Sequence, residues 1–184
     1  FAMGDISNLA VTNADGRQFL ETTAATYDVI IVDAYRQPYI PFYLATREFF
    51  SLARGHLNPG GAVALNVERI PGDTRLGDAI ESTASSELGG TYVWPALRYN
   101  ELVLGLAGAG DPGLATLRTR ATTIQGDIAS LGPLVERQLR AALRSADPLT
   151  DDRAAVEWLT DRSLLGYIAG GGTLDEHLLP TAPG

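Results

Sequence analysis

Asp33 closes the run Tyr27-Asp28-Val29-Ile30-Ile31-Val32. The run is too short for a free-standing helix, and its β-branched residues suit a strand buried on both faces, as in a parallel sheet. Ligands of open α/β sheets bind outside the carboxyl ends of the strands, so a carboxylate at this point stands where a substrate proton can be taken. Asp33 is therefore the candidate general base of a Rossmann-like site. An aromatic residue, Tyr35, and a cation, Arg36, follow it directly. The alternative use of Asp33 is to cap the turn that leads into Pro38 and Pro41.

Other chemistries are excluded by composition. The chain has 184 residues, no cysteine and two histidines, His56 and His177. Thiolate metal sites and disulfides are impossible, and a histidine triad or two-histidine metal site has almost no support, so no metal is expected. All fourteen basic residues are arginine, which rules out a lysine Schiff base or a P-loop lysine. A net charge of −8 argues against a nucleic-acid partner. No apolar stretch approaches the ~20 residues of a membrane span, and no leader-like segment is visible. The default location is cytoplasmic.

The elements that must position Asp33 alternate. Leu9–Thr12 reads as a short strand, Gly16–Ala25 as an amphipathic helix, and Tyr27–Val32 as the strand described. A helix over Leu44–Leu57 stops at the turn Asn58-Pro59-Gly60-Gly61, and Ala62–Val67 is the next strand. Asp73 is the expected N-cap of a helix over Thr74–Leu88. Tyr92–Leu97 and Glu101–Ala107 pair as an antiparallel hairpin. This pattern predicts an α/β fold, a mainly parallel sheet with an antiparallel edge hairpin. Beyond Gly108 the chain reads as helical, over Leu114–Leu131, Leu134–Ser145 and Asp152–Ile168. The expected division is residues 1–108 as the sheet domain, 109–169 as a helical extension and 170–184 as a loose tail.

Five motifs occur in order: DGRQFL (Asp15–Leu20), YDVIIVDAY (Tyr27–Tyr35), IPFYLATREFF (Ile40–Phe50), LNPGGAVALNV (Leu57–Val67) and PLTDDRAAVEWL (Pro148–Leu159). Together they resemble the carboxyl-terminal two thirds of the spermidine synthase-like proteins. These form the polyamine aminopropyltransferase branch of the Rossmann-fold methyltransferases dependent on S-adenosylmethionine. The resemblance implies that Asp33 is the catalytic acid/base and that Asp15, with the Gly16 backbone beside it, contacts the adenine of S-adenosylmethionine or its decarboxylated form. Asp15 equally suits an ordinary helix cap. Tyr35 and Arg36 are the candidate substrate contacts, Arg36 if it faces the site and otherwise a surface charge, and the expected partner is a small-molecule amine or other acceptor. For the LTDD patch around Asp151 and Asp152 only a structural use, capping the next helix, is expected.

The chain departs from that family in two ways. Polyamine-making members carry a second acid three residues after the catalytic one, where this chain has Arg36. A guanidinium there repels a diamine, so putrescine is not expected as acceptor. The glycine-rich loop after the first strand and the acid ending the second are also missing, and the chain begins with Phe1, two residues before Met3. The family's sheet order is three, two, one, four, five, seven, six. Without strands one and two, YDVIIV becomes a bare apolar edge, unless Leu9–Thr12 re-pairs beside it. A fragment, covered by a complementing chain or a second copy, is the expectation. A catalytically inactive binding or assembly domain is the alternative.

Overall fold

A computed structural model describes residues 8–35, 39–108 and 111–173. Its six helices are α1 (Gly16–Thr22), α2 (Arg47–Gly55), α3 (Arg75–Glu87), α4 (Leu114–Ala121), α5 (Gly132–Gln138) and α6 (Val156–Ala169). Its five strands are β1 (Tyr27–Val32), β2 (Leu57–Glu68), β3 (Gly90–Trp94), β4 (Asn100–Leu106) and β5 (Arg140–Ala141). They form one sheet in the order β1-β2-β4-β3-β5. β1 and β2 pair in parallel, while β4 runs antiparallel to both β2 and β3. Strands β1, β2 and β3 thus point the same way, with β4 inserted against them. This is the four, five, seven, six part of the order that the motifs imply.

Alternation along the strands decides where the core lies. Val63, Leu65 and Val67 of β2 and Val103 of β4 are almost fully buried beneath α2 and α3, with Phe49, Phe50, Ala53 and Ile80. Burying each of these Val, Leu, Ile and Phe side chains stabilises the fold by roughly 1.5–3 kcal/mol. The opposite face is only half covered. There α4 and α5 lay Leu117, Ala121 and Val135 over Tyr92 and Leu104, and among the described residues nothing comparable covers β1.

The strand β1 is consequently not buried on both faces. Among the described residues it pairs with β2 alone, and Val29 and Ile31 are 55% and 73% exposed. Leu9–Thr12 does not re-pair beside it, since residues 9–12 are irregular and exposed. Two glycines set the entry to β2. Gly60 has a φ of +81°, and a Cβ on Gly61 would come within 3.0 and 3.1 Å of the Asp28 and Tyr27 carbonyl oxygens.

Other expectations need correction as well. Leu44–Leu57 divides into a 3-10 turn over Phe42–Leu44 and α2, because the Thr46 hydroxyl caps Phe49 N–H and starts a new helix. Asp73 stands one residue before the cap position of α3 and accepts from Arg75 N–H. Leu134–Ser145 is helical only to Gln138. Its later backbone N–H groups are taken by side chains of α3: Glu81 accepts from Leu143, and Ser82 from Ser145 and Ala146. Ala142 N–H donates to Thr91 O, so the segment extends the sheet as β5. The tail from residue 174 and His177 lie outside the described residues.

Candidate functional site

The parallel register with β2 brings a second residue to Asp33. Ile31 lies beside Ala64, so two residues on, Asp33 faces Asn66 on the same side of the sheet. Asn66 Nδ2 donates to Asp33 Oδ1 at 2.9 Å, and Asn66 Oδ1 accepts from Asn100 Nδ2 at 3.1 Å. The carboxylate is thus oriented through one oxygen by a chain of amides from β4. Among the described residues its other oxygen, Oδ2, has no hydrogen-bond partner.

Asp33 opens into a groove of about 800 Å³ that also takes in Asp15, Gly16, Phe19, Val29, Ile31 and Tyr43. Three residues singled out by sequence, Asp15, Gly16 and Asp33, are therefore brought to one place. Its floor is the uncovered face of β1, where the period of two sets Val29, Ile31 and Asp33 in line. Asp15 performs the cap role: Oδ1 accepts from Arg17 N–H and Gln18 N–H, each at 3.0 Å. Oδ2 accepts the Tyr43 hydroxyl at 2.8 Å. These bonds, the Gln18 one foremost, hold its carboxyl below the usual range. A carboxylate offers about four acceptor positions, so one is left for a ligand donor. The space over Gly16 is open.

Tyr35 does not join the groove. Its hydroxyl donates to Asn66 O at 2.9 Å, and burial, then the charge of Glu68, pushes the phenol above its ordinary range. Arg36 lies outside the described residues. The sequence also concealed Glu68, the last residue of β2. It is 6% exposed with neither carboxylate oxygen hydrogen-bonded, and burial raises it to about 7. No sequence signal distinguishes such an acid from a solvated one at a strand end. Asn66 was detectable in principle, two residues before that strand's end and level with Asp33.

Among the described residues no group of three or more His, Cys, Asp or Glu side chains could hold a metal ion, and no helix is long and apolar enough to cross a membrane.

No protein-family model matches the chain. It is 40% identical over 84 residues to a probable polyamine aminopropyl transferase of Bifidobacterium longum, a match covering 45% of this chain and 19% of that protein. The chain thus spans about a fifth of the length of the curated relative that it matches. Among solved structures, a probable spermidine synthase from Corynebacterium glutamicum aligns over 93% of this chain and 55% of its own, with 16% identity and a TM-score of 0.48. A methyltransferase from Pyrococcus furiosus aligns over 47% and 43%, with 23% identity and a TM-score of 0.33. The 84-residue match agrees with the resemblance that the ordered motifs carry: over that stretch the chain is similar to a probable polyamine aminopropyl transferase, and it spans only part of that protein's length.

Proposed function

We propose that this chain is part of an aminopropyl- or methyl-transferase that uses an adenosyl-sulfonium donor, S-adenosylmethionine or its decarboxylated form, with Asp33 as general base. The observation that carries this reading is the single groove shared by Asp15, Gly16 and Asp33, with Asp33 Oδ1 held by Asn66 and Oδ2 unpartnered. When bound, the donor supplies an electrophilic carbon beside sulfur. An acceptor amine is mostly protonated at neutral pH and must shed its proton to attack. The nitrogen–carbon bond forms, the carbon–sulfur bond breaks with its electron pair left on sulfur, and Asp33 Oδ2 receives the nitrogen's proton. General-base assistance of this kind contributes roughly 10²–10⁴ in rate.

Asp15 and Gly16 would hold the adenine edge, Asp15 through its remaining acceptor position. Phe19, Val29 and Ile31 would exclude water along one wall. Arg36 stands in sequence where diamine-using relatives carry an acid, which supports an acceptor other than putrescine.

A second reading is an assembly domain whose β1 edge is covered by a complementing chain or another copy. The exposure of Val29 and Ile31 favours it. Calorimetric titration with S-adenosylmethionine, its decarboxylated form and methylthioadenosine separates the two. Binding that Asp15→Asn weakens tenfold or more supports the transferase, since asparagine preserves the cap. No heat and no thermal shift with any of the three leaves the assembly reading.

A further inference from the structure

The sheet face of Ile31 continues through Ala64 of β2 to Leu104 of β4 and Tyr92 of β3, since register partners share a face. At the β3–β4 end α4 and α5 stand over this face without closing on it. A slot of about 300 Å³ remains beneath them and shares no lining residue with the Asp33 groove. Trp94, Leu104 and Leu106 form its floor, and Val135 and Leu139 line it from the α5 side. Its walls are fixed at several points. Arg118 donates to Leu139 O through Nε at 2.9 Å and Nη2 at 2.6 Å, and Trp94 Nε1 donates to Gln138 Oε1 at 3.3 Å. A Cβ on Gly132 would meet the Ala121 carbonyl oxygen, so the start of α5 packs directly on the end of α4. The slot is therefore part of the folded form.

One charged residue interrupts the apolar lining. Leu117, Arg120 and Ala121 are spaced i, i+3, i+4, so they share one face of α4, and all three line the slot. An arginine on the helix face turned to the sheet is out of place in a purely structural contact. The other polar groups nearby are spent: the Arg118 guanidinium on Leu139 O, the Trp94 indole on Gln138, and the Tyr92 hydroxyl on Asp111 Oδ1 at 2.6 Å. Among the described residues the Arg120 guanidinium has neither hydrogen bond nor ion pair, and no acid lines the slot.

Shape and charge together select the occupant. Small-molecule sites are mostly apolar clefts, from about 300 Å³ upward, with a few polar groups that fix orientation. A guanidinium's planar fork matches a carboxylate or a phosphate and repels a cation. In a chain of net charge −8, a monoanion is repelled less than a phosphate monoester, which carries about −1.5 to −2. We propose that this slot binds a monocarboxylate with an apolar body, the alkyl or aryl part against Trp94 and Leu104 and the carboxylate on Arg120. The site does not depend on the transferase reading, since Asp15 and Asp33 take no part in it.

Trp94 and Trp158 are the chain's two tryptophans, and Trp158 is exposed on α6. Trp158→Phe in the 184-residue chain therefore leaves Trp94, in the slot, as the reporter. The test is a fluorescence titration of that chain at neutral pH with sodium octanoate below its micelle concentration, against sodium chloride of equal ionic strength. We expect a saturable change in Trp94 emission. Arg120→Gln should weaken octanoate about fivefold while leaving 1-octanol, which has the same stem and no charge, unaffected. Val135→Phe, which fills the slot, should weaken both. Arg137→Gln, at an exposed arginine of α5 outside the lining, should leave octanoate binding unaltered. Arg120 is exposed, so its variant stays folded and decides the matter even if Val135→Phe does not fold. Unchanged octanoate affinity in Arg120→Gln overturns the proposal, as does the lack of any saturable change. Equal weakening in Arg137→Gln overturns it too, since that would show diffuse attraction to surface arginines.

Discussion

Arg17 and Asp151, 134 residues apart in sequence, meet in a two-point ion pair, Nη1 to Oδ1 at 2.8 Å and Nη2 to Oδ2 at 2.6 Å. The same Oδ1 accepts the Thr46 hydroxyl at 2.7 Å, and Arg17 Nη1 also donates to Tyr43 O at 3.0 Å. Three of the five recurrent motifs are thereby fastened to one another. Through Tyr43, whose hydroxyl reaches Asp15 Oδ2, the clamp extends to the groove. The LTDD segment does not cap α6, whose N-cap position has no side-chain bond; its Asp151 serves the clamp instead.

Asp151→Asn keeps the volume and removes the charge. Both partners are partly exposed, at 18% and 38%, so solvent screening holds the loss to about 1–2 kcal/mol in urea unfolding. Arg17→Lys should cost a similar amount, because an ammonium cannot make the fork. Arg17 holds the Asp151 carboxyl below its ordinary value. That stabilisation is present above the unfolded carboxyl's pKa and is lost as pH falls through the folded one. Asp151→Asn should therefore flatten the acid limb of the stability curve. An unchanged limb would show that the pair adds nothing.

Glu68 acts in the opposite direction. Its folded value of about 7 lies above the ordinary 4.5, so the unfolded chain releases this proton first. Stability is then lost as pH rises between those values, by about 3 kcal/mol at most. Glu68→Gln should remove that slope and raise the melting temperature at pH 8 relative to wild type. A variant that melts lower at pH 8 would contradict the buried, unpaired state.

Asn66 positions Asp33. In a transferase-competent protein, Asn66→Ala should lower kcat about tenfold while leaving the donor KM unchanged, because Asp33 keeps its charge and loses its orientation. Asn66→Gln, with its longer reach, should recover little. A rise in donor KM at constant kcat would place Asn66 in binding rather than in positioning.

The β1 edge should drive self-association. Ile31 is 73% exposed beside an unpaired strand edge, and a lysine there blunts pairing without disturbing the core. Ile31→Lys should shift a concentration series in light scattering toward monomer, with a melting temperature within about 2 °C of wild type. Equal association in wild type and variant would remove β1 from the interface.

The alternating elements were legible because each carried its own local signal. YDVIIV, the Asn58-Pro59-Gly60-Gly61 turn and the closely spaced segments of the β3–β4 hairpin specify strand, break and pairing within a few residues. The helix predicted over Leu134–Ser145 failed for want of such a signal. Its fate rests on Glu81, Ser82 and Thr83 of α3, some sixty residues earlier, whose side chains take the backbone N–H groups of Leu143, Ser145, Ala146 and Leu149. Helical spacing cannot register a competitor so distant in the chain.

The sequence by itself carried the resemblance to the polyamine aminopropyltransferases, the strand that presents Asp33, and the pairing of Asp15 with Gly16, since these follow from residue order and local pattern. Tertiary structure alone decided that Asp15, Gly16 and Asp33 share one groove and that Asn66 holds the carboxylate. It also decided that Tyr35 turns away toward Glu68. Those relations depend on which strands become neighbours and in what register, and register is set by the burial of a whole sheet face rather than by any residue's own preference.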